Sequence, residues 1–207
     1  MKLKLIIFDC DGVMFDSKFA NQTYYNFLLQ HYSYPVMDEK ELEFVHMHNV
    51  AESIRHIFRH YPQQNLQEVE KLRQETGYAP FLKYMKMEED LIQFLDICTP
   101  RYQLAISTNR TNTMESILEI FKLRDYFKKV MTAENARRPK PAPDALFEIL
   151  EFYNCHADEA IYIGDSIIDR EHSAGCGMRL IAFKNENLPA EYHVSSFLDI
   201  LQLPPFQ

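Results

Sequence analysis

Leu3-Lys4-Leu5-Ile6-Ile7-Phe8-Asp9-Cys10-Asp11-Gly12-Val13 is the stretch on which the reading of this chain turns. Residues 3–9 carry an almost unbroken apolar run, the pattern of a short strand buried on both faces. The run ends in two carboxylates two residues apart. If strand geometry continued through them, Asp9 and Asp11 would share a face. A carboxylate can attack phosphorus to give an aspartyl-phosphate. A second carboxyl beside it can protonate the leaving oxygen and later activate water. Two such groups repel each other, and magnesium, which takes a few oxygen ligands together with water and phosphate, resolves the conflict.

Outward from this stretch the texture changes twice. Strand signals vanish between about residues 17 and 87, where Ala20, Tyr24, Phe27, Leu28 and His31 fall at helical spacing and Pro35, Pro62, Gly77 and Pro80 supply breaks. From about residue 88 helices and short apolar strands alternate. Tyr102 to Ser107, Val130-Met131, Ala160 to Ile163 and Leu180 to Phe183 read as strands. Met114, Ile117, Leu118 and Phe121 mark one helix face, with Asn112 and Glu115 resembling a capping box. Pro143 suits the first turn of a helix that buries Leu146, Ile149, Leu150 and Tyr153. Such alternation predicts an α/β fold, a parallel sheet with helices on both faces. Right-handed crossovers then bring every strand C-terminus to one edge, where ligands bind. Asp9, Ser107-Thr108-Asn109 and Asp165 each follow an apolar strand and are expected to meet there.

Two further groups complete the candidate set. Gly164-Asp165-Ser166-Ile167-Ile168-Asp169 holds carboxylates at i and i+4, which share a helix face if the turn runs straight into a helix; the plainer reading is an N-cap Asp165 and an exposed Asp169. Arg137-Arg138-Pro139-Lys140-Pro141 puts cations in a loop stiffened by prolines, and phosphoryl transfer needs positive charge around its equatorial oxygens.

Composition narrows the partners. The chain has 207 residues, room for one substantial core and a modest insertion. With 22 Lys and Arg against 30 Asp and Glu, the net charge of −8 argues against nucleic acid. No run approaches the roughly 18 apolar residues that span a bilayer, and Asp9 interrupts the N-terminal run before it could serve as a signal-peptide core. The expectation is a soluble, cytoplasmic protein with no membrane partner; nothing bears on its oligomeric state. Cys10, Cys98, Cys155 and Cys176 form no C-x-x-C pair, so reduced structural thiols are expected rather than zinc or disulfides.

In this order the motifs resemble those of the haloacid dehalogenase superfamily, in the branch of phosphoglycolate-phosphatase-like and β-phosphoglucomutase-like proteins. Asp9-Cys10-Asp11-Gly12-Val13 matches the first motif, Thr108 followed by Asn109 the second, Lys140 the third and Gly164-Asp165 through Asp169 the fourth. Val13-Met14 in place of the commoner Thr-Leu, and Cys10, are departures that remove no catalytic group. The resemblance implies a Rossmann-like core of residues 1–16 and 88–207 with an all-helical cap inserted at 17–87. It implies a magnesium-dependent phosphatase acting on a small phosphorylated metabolite. Asp9 would be nucleophile and metal ligand, Asp11 general acid/base and a ligand through its backbone carbonyl, and Asp165 a metal ligand. Thr108, Asn109 and Lys140 would hold the phosphoryl group, and Asp169 would act on the metal site from behind its ligands. The cap segment Val45-His46-Met47-His48-Asn49-Val50 offers His48 and Asn49 as substrate contacts. A dehalogenase does not use the second carboxylate, which is present as Asp11. A phosphonoacetaldehyde hydrolase needs a cap lysine, and residues 41–70 contain none. A sugar phosphomutase and a phospho-ligand-binding regulatory protein are the alternatives that stay open.

Overall fold

Four of the five short apolar runs become interior strands covered by helices, and Val130-Met131 lies in an edge strand. The computed structural model describes residues 2–48 and 50–207. In chain order it contains β1 (Leu5–Phe8), β2 (Phe15–Asp16), α1 (Lys18–His31), α2 (Glu39–Met47), α3 (Val50–Ile57), α4 (Leu66–Thr76), β3 (Lys86–Met87) and α5 (Leu91–Cys98). Then come β4 (Gln103–Ser107), α6 (Met114–Ile120), β5 (Lys129–Met131), α7 (Asp144–Tyr153), β6 (Ala160–Gly164), α8 (Ile167–Ala174), β7 (Arg179–Phe183), β8 (Tyr192–Val194) and α9 (Phe197–Ile200).

The chain divides into two compact units, one of residues 1–16 and 87–207, the other of residues 17–86. The first holds a six-stranded sheet in the order β5-β4-β1-β6-β7-β8, every pairing parallel. β1 lies inside the sheet, and its four residues are wholly buried. On one face Leu5, Ile7 and Tyr162 pack with Leu146 and Ile149 of α7. Phe8 also meets Phe94, Phe127 and Phe197 at centroid distances of 5.6–6.1 Å. Burial of each such side chain is worth about 1.5–3 kcal/mol. The fold is the α/β arrangement that the strand–helix alternation predicts.

The second unit is helical and has its own core, in which Tyr24, Leu28, Ile54, Phe58 and Val69 pack together. α2 is opened by a full capping box between Asp38 and Glu41. The stripe expected on α1 is displaced: Tyr25 and Leu29 are buried while Phe27 is only half-buried and His31 exposed. α1 packs against α2, α4 and the 3₁₀ turn Ala79–Tyr84, and three neighbours widen its buried arc beyond one stripe.

Other local expectations shift by a residue or a partner. α6 starts after Thr113, which makes no side-chain cap bond, so Asn112 and Glu115 form no capping box. The Thr113 hydroxyl instead accepts a hydrogen bond from Arg110. Pro143 is the N-cap of α7 rather than a residue of its first turn. The sequence reading does not include α5, β8 or α9. All four cysteines are free thiols, and no helix among the described residues is long and apolar enough to cross a membrane.

Candidate active site

Register places the candidate residues. Phe8 is level with Ile106 on one side and Ile163 on the other. The ladder runs one step further, through Asp9 N–H to Ile163 O (2.9 Å) and Thr108 N–H to Met131 O (3.0 Å). Asp9 is therefore held by the sheet although it lies past β1. The chain then turns sharply: Met14 and Phe15 both donate to Cys10 O at 3.0 Å, and Gly12 adopts φ +77°. Gly12 is required there twice over, since a Cβ would also collide with the Asp165 carboxylate.

Carboxylate oxygens of Asp9, Asp165 and Asp169 lie within 4.8 Å of one another. Asp169 is wholly buried and Asp9 nearly so. Burial pushes the Asp9 carboxyl up, and the neighbouring Asp169 and Asp11 charges add to this against the opposing pull of Lys140. Burial also raises Asp165, with Asp9 the next contributor. Asp169 goes the other way: burial would raise it, but the Lys140 ammonium and bonds from Ser166 hold it below the usual carboxylate range.

Asp165 and Asp169 do not share a helix face, and Asp165 is not an N-cap. Ser166 caps α8, and Asp169 is the third helical residue in a reciprocal capping box with it. Asp169 Oδ2 accepts from Ser166 Oγ (2.7 Å), Ser166 N and Asp165 N (both 3.2 Å). The remaining Asp169 oxygen is thereby aimed at Lys140 Nζ, 2.7 Å away.

Lys140 is the centre of the arrangement. Its side chain is 4% exposed, and Nζ lies 2.8 Å from Asp9 Oδ1. That approach is off the hydrogen-bonding direction, so the contact is ionic and Asp9 Oδ1 is a buried oxygen without a hydrogen bond. Burial would lower the Lys140 pKa, but Asp169 and Asp9 outweigh it and hold the ammonium above its ordinary range. The expected phosphate contact Asn109 spends its carboxamide elsewhere: Oδ1 accepts from Lys140 N (2.9 Å) and Nδ2 donates to Lys140 O (3.1 Å). Thr108 Oγ1 accepts from Arg110 N at 3.2 Å.

Three residues absent from the expected set belong to this cluster. Arg110 donates to Asp11 Oδ1 at 2.6 Å. Tyr162 contacts Lys140 and Asp169 through its hydroxyl, and Asn185 donates to the Asp165 carbonyl at 2.7 Å. Tyr162 left a signal, a lone hydroxyl in the apolar run Ala160-Ile161-Tyr162-Ile163 that must find a partner when buried. Arg110 and Asn185 left none.

His48 belongs to the helical unit. It is exposed, its Nδ1–H donates to Phe44 O at 2.8 Å, and its ring lies flat on Phe44 at 3.7 Å. His56 stacks on the same ring at 3.8 Å, so Phe44 is covered on both faces. Asn49 lies outside the described residues.

A cation suits the acidic cluster. The donors are hard carboxylate oxygens, Asp9 Oδ1 carries no hydrogen bond, and Gly12 leaves clear the space that a side chain would take from Asp165. These features favour a hard cation over softer metals.

The sequence pattern of the haloacid dehalogenase-like hydrolases matches residues 6–183, and the chain belongs to that family. A haloacid dehalogenase-superfamily hydrolase of subfamily IA, variant 1, from Geobacter sulfurreducens superposes with a TM-score of 0.86 at 32% identity, covering 97% of this chain and 95% of that one. The putative pyrophosphatase PpaX of Caldanaerobacter subterraneus subsp. tengcongensis is 22% identical over 92% of this chain and 86% of its own. A phosphoglycolate phosphatase from Psychrobacter arcticus is 30% identical over 50% of this chain and 43% of its own.

Proposed function

We propose that the protein is a magnesium-dependent phosphatase that hydrolyses a small phosphomonoester through an aspartyl-phosphate on Asp9. The observation that carries this reading is Asp9 itself, a buried carboxylate at a strand end with one oxygen free of hydrogen bonds and 2.8 Å from a lysine ammonium. Names of relatives, a pyrophosphatase and a phosphoglycolate phosphatase, support phosphoryl chemistry.

In the first step an Asp9 oxygen bonds to phosphorus while the bond from phosphorus to the leaving oxygen breaks. Asp11 gives its proton to that oxygen. In the second step Asp11 takes a proton from water, whose oxygen attacks the same phosphorus and releases phosphate and the Asp9 carboxylate. Lys140 neutralises charge on the equatorial oxygens, and Thr108 supplies a hydroxyl at the same edge. Asn109 serves the phosphate indirectly, by fixing the backbone of Lys140. Arg110 orients Asp11. Asp9, Asp165 and the Asp11 backbone carbonyl would hold magnesium, with Asp169 steadying the turn that carries Asp165; the ion supplies charge stabilisation to the transferring group. The helical unit, residues 17–86, carries His48 and Asn49, the candidates for substrate contact.

The test is phosphate release across a panel of small phosphoesters, pyrophosphate and phosphoglycolate among them, with magnesium and with excess EDTA. Turnover of at least one compound that stops in EDTA is the expected result. Full activity in EDTA, or transfer of phosphate within a sugar phosphate without release, would overturn the reading.

A further inference from the structure

Lys140 is held at both ends. Its backbone is gripped by Asn109. Two residues on, Ala142 O accepts from His172 Nδ1 at 2.7 Å, and His172 Nε2 accepts from Ser107 Oγ at 2.9 Å. At its tip Nζ donates to Asp169 Oδ1 at 2.7 Å and to the Tyr162 hydroxyl at 3.1 Å. The Tyr162 hydroxyl has one proton. Its acceptors are the Ser107 backbone carbonyl at 2.8 Å and Asp169 Oδ1 at 3.1 Å, both fixed. A phenol that donates to a fixed acceptor presents its lone pair in a fixed direction, here toward Lys140. Two of the three ammonium protons are therefore committed to groups anchored on β6 and α8. The third is left on the side of Asp9.

We propose that Tyr162 is a positioning residue for phosphoryl transfer, its buried hydroxyl fixing the Lys140 ammonium so that one N–H remains for the phosphoryl group carried at Asp9. The proposal rests on the phosphatase reading. Without the hydroxyl, a buried ammonium would have a second N–H to satisfy and would turn toward Asp169, away from the phosphoryl group carried at Asp9.

Tyr162→Phe keeps the ring, and with it the packing and the 5.8 Å approach of the ammonium to the ring centroid, while deleting the hydroxyl alone. The experiment combines steady-state kinetics with calorimetric titration by orthovanadate in magnesium. Expected for Tyr162→Phe are a kcat lower by about ten- to a hundredfold, a nearly unchanged KM, and vanadate binding weakened by a similar factor at unchanged stoichiometry. A merely structural role would lower the stoichiometry and leave the vanadate affinity of the folded fraction alone. In a Lys140→Met background the same substitution should weaken vanadate binding no further, because the partner is gone. Equal weakening in both backgrounds, or wild-type kinetics in Tyr162→Phe, would overturn the proposal. Should Tyr162→Phe fail to fold, nuclear Overhauser contacts between the Lys140 ammonium and the Tyr162 ring in ¹⁵N-lysine-labelled wild-type protein decide it: their presence supports the arrangement and their absence overturns it. Asp9→Asn assayed alongside separates the two ideas. Normal turnover of Asp9→Asn defeats the phosphatase reading, whereas a dead Asp9→Asn with an unimpaired Tyr162→Phe defeats only the positioning role.

Discussion

Asp9 and His172 illustrate two ways in which a buried polar residue acts. Asp9 has an oxygen without a hydrogen bond and a cation beside it, so its carboxylate is available to react. Asp9→Asn would replace the proposed nucleophile with an unreactive amide, and turnover should fall by several orders of magnitude with the circular dichroism spectrum intact. Near-normal turnover would exclude Asp9 as nucleophile. His172 is wholly buried and has both ring nitrogens satisfied. Burial, reinforced by Lys140, lowers its pKa from the usual 6.5 to about 4. The folded protein thus holds His172 neutral, while the unfolded chain takes up a proton below pH 6.5. Stability from this residue is full above pH 6.5 and drains away as pH falls toward 4, by about 3 kcal/mol in all. Between pH 7.5 and 5 the urea midpoint should change less favourably in wild type than in His172→Gln, since the raised Asp9 and Asp165 carboxyls act on both proteins alike. An equal change in both proteins would place the acid sensitivity elsewhere.

Among the elements, the turn after β1 is the most constrained. Gly12 needs a positive φ and leaves room for the Asp165 carboxylate. Gly12→Ala combines backbone strain of about 1–2 kcal/mol with displacement of Asp165. It should weaken magnesium binding, read by calorimetry, more than it lowers the melting temperature, because the clash falls on the carboxylate rather than on the sheet. Unaltered magnesium affinity would show that the turn has slack. The strand ends at Asp9, Thr108 and Asp165 are legible in the sequence, because each follows an apolar run with a change of chemistry; the turn at Gly12 is not, since continued strand geometry would put Asp9 and Asp11 on one face. Nor are the partners. Arg110 and Asp11 are 99 residues apart and meet only through the pairing of β1 with β4. The placement of Asp165 and Asp169 differs from what their spacing predicts, because i,i+4 implies one helix face, whereas Ser166 starts the helix a residue later and Asp169 is drawn into its cap. Spacing reports periodicity and is blind to which residue begins the helix.

At the scale of the molecule the polar chemistry is divided between two units with separate cores. The carboxylates and the lysine belong to the sheet unit; His48 belongs to the helical one. If His48 contacts only the leaving group, His48→Ala should reduce kcat/KM by about ten- to a hundredfold on the preferred substrate, with much less effect on p-nitrophenyl phosphate. Equal losses on both compounds would mean that the Phe44 stack supports the fold of the helical unit instead.

The interior position of β1 has a consequence for the chain during its synthesis. β1 pairs with β4 and β6, strands that begin roughly 100 and 155 residues further on. At ribosomal speeds of about 5–20 residues per second, some 8–30 s separate the emergence of β1 from that of its second partner. Until β4 emerges, roughly 100 residues or some 5–20 s after β1, Leu5, Ile6, Ile7 and Phe8 have no strand to pair with, a sticky segment that a chaperone would be expected to shield. Residues 17–86 need no such wait, since their core is closed among themselves. The helical unit can therefore condense on the ribosome while β1 is still unpaired, and Asp9 acquires its surroundings only once β6 and the Asp165 turn have been translated.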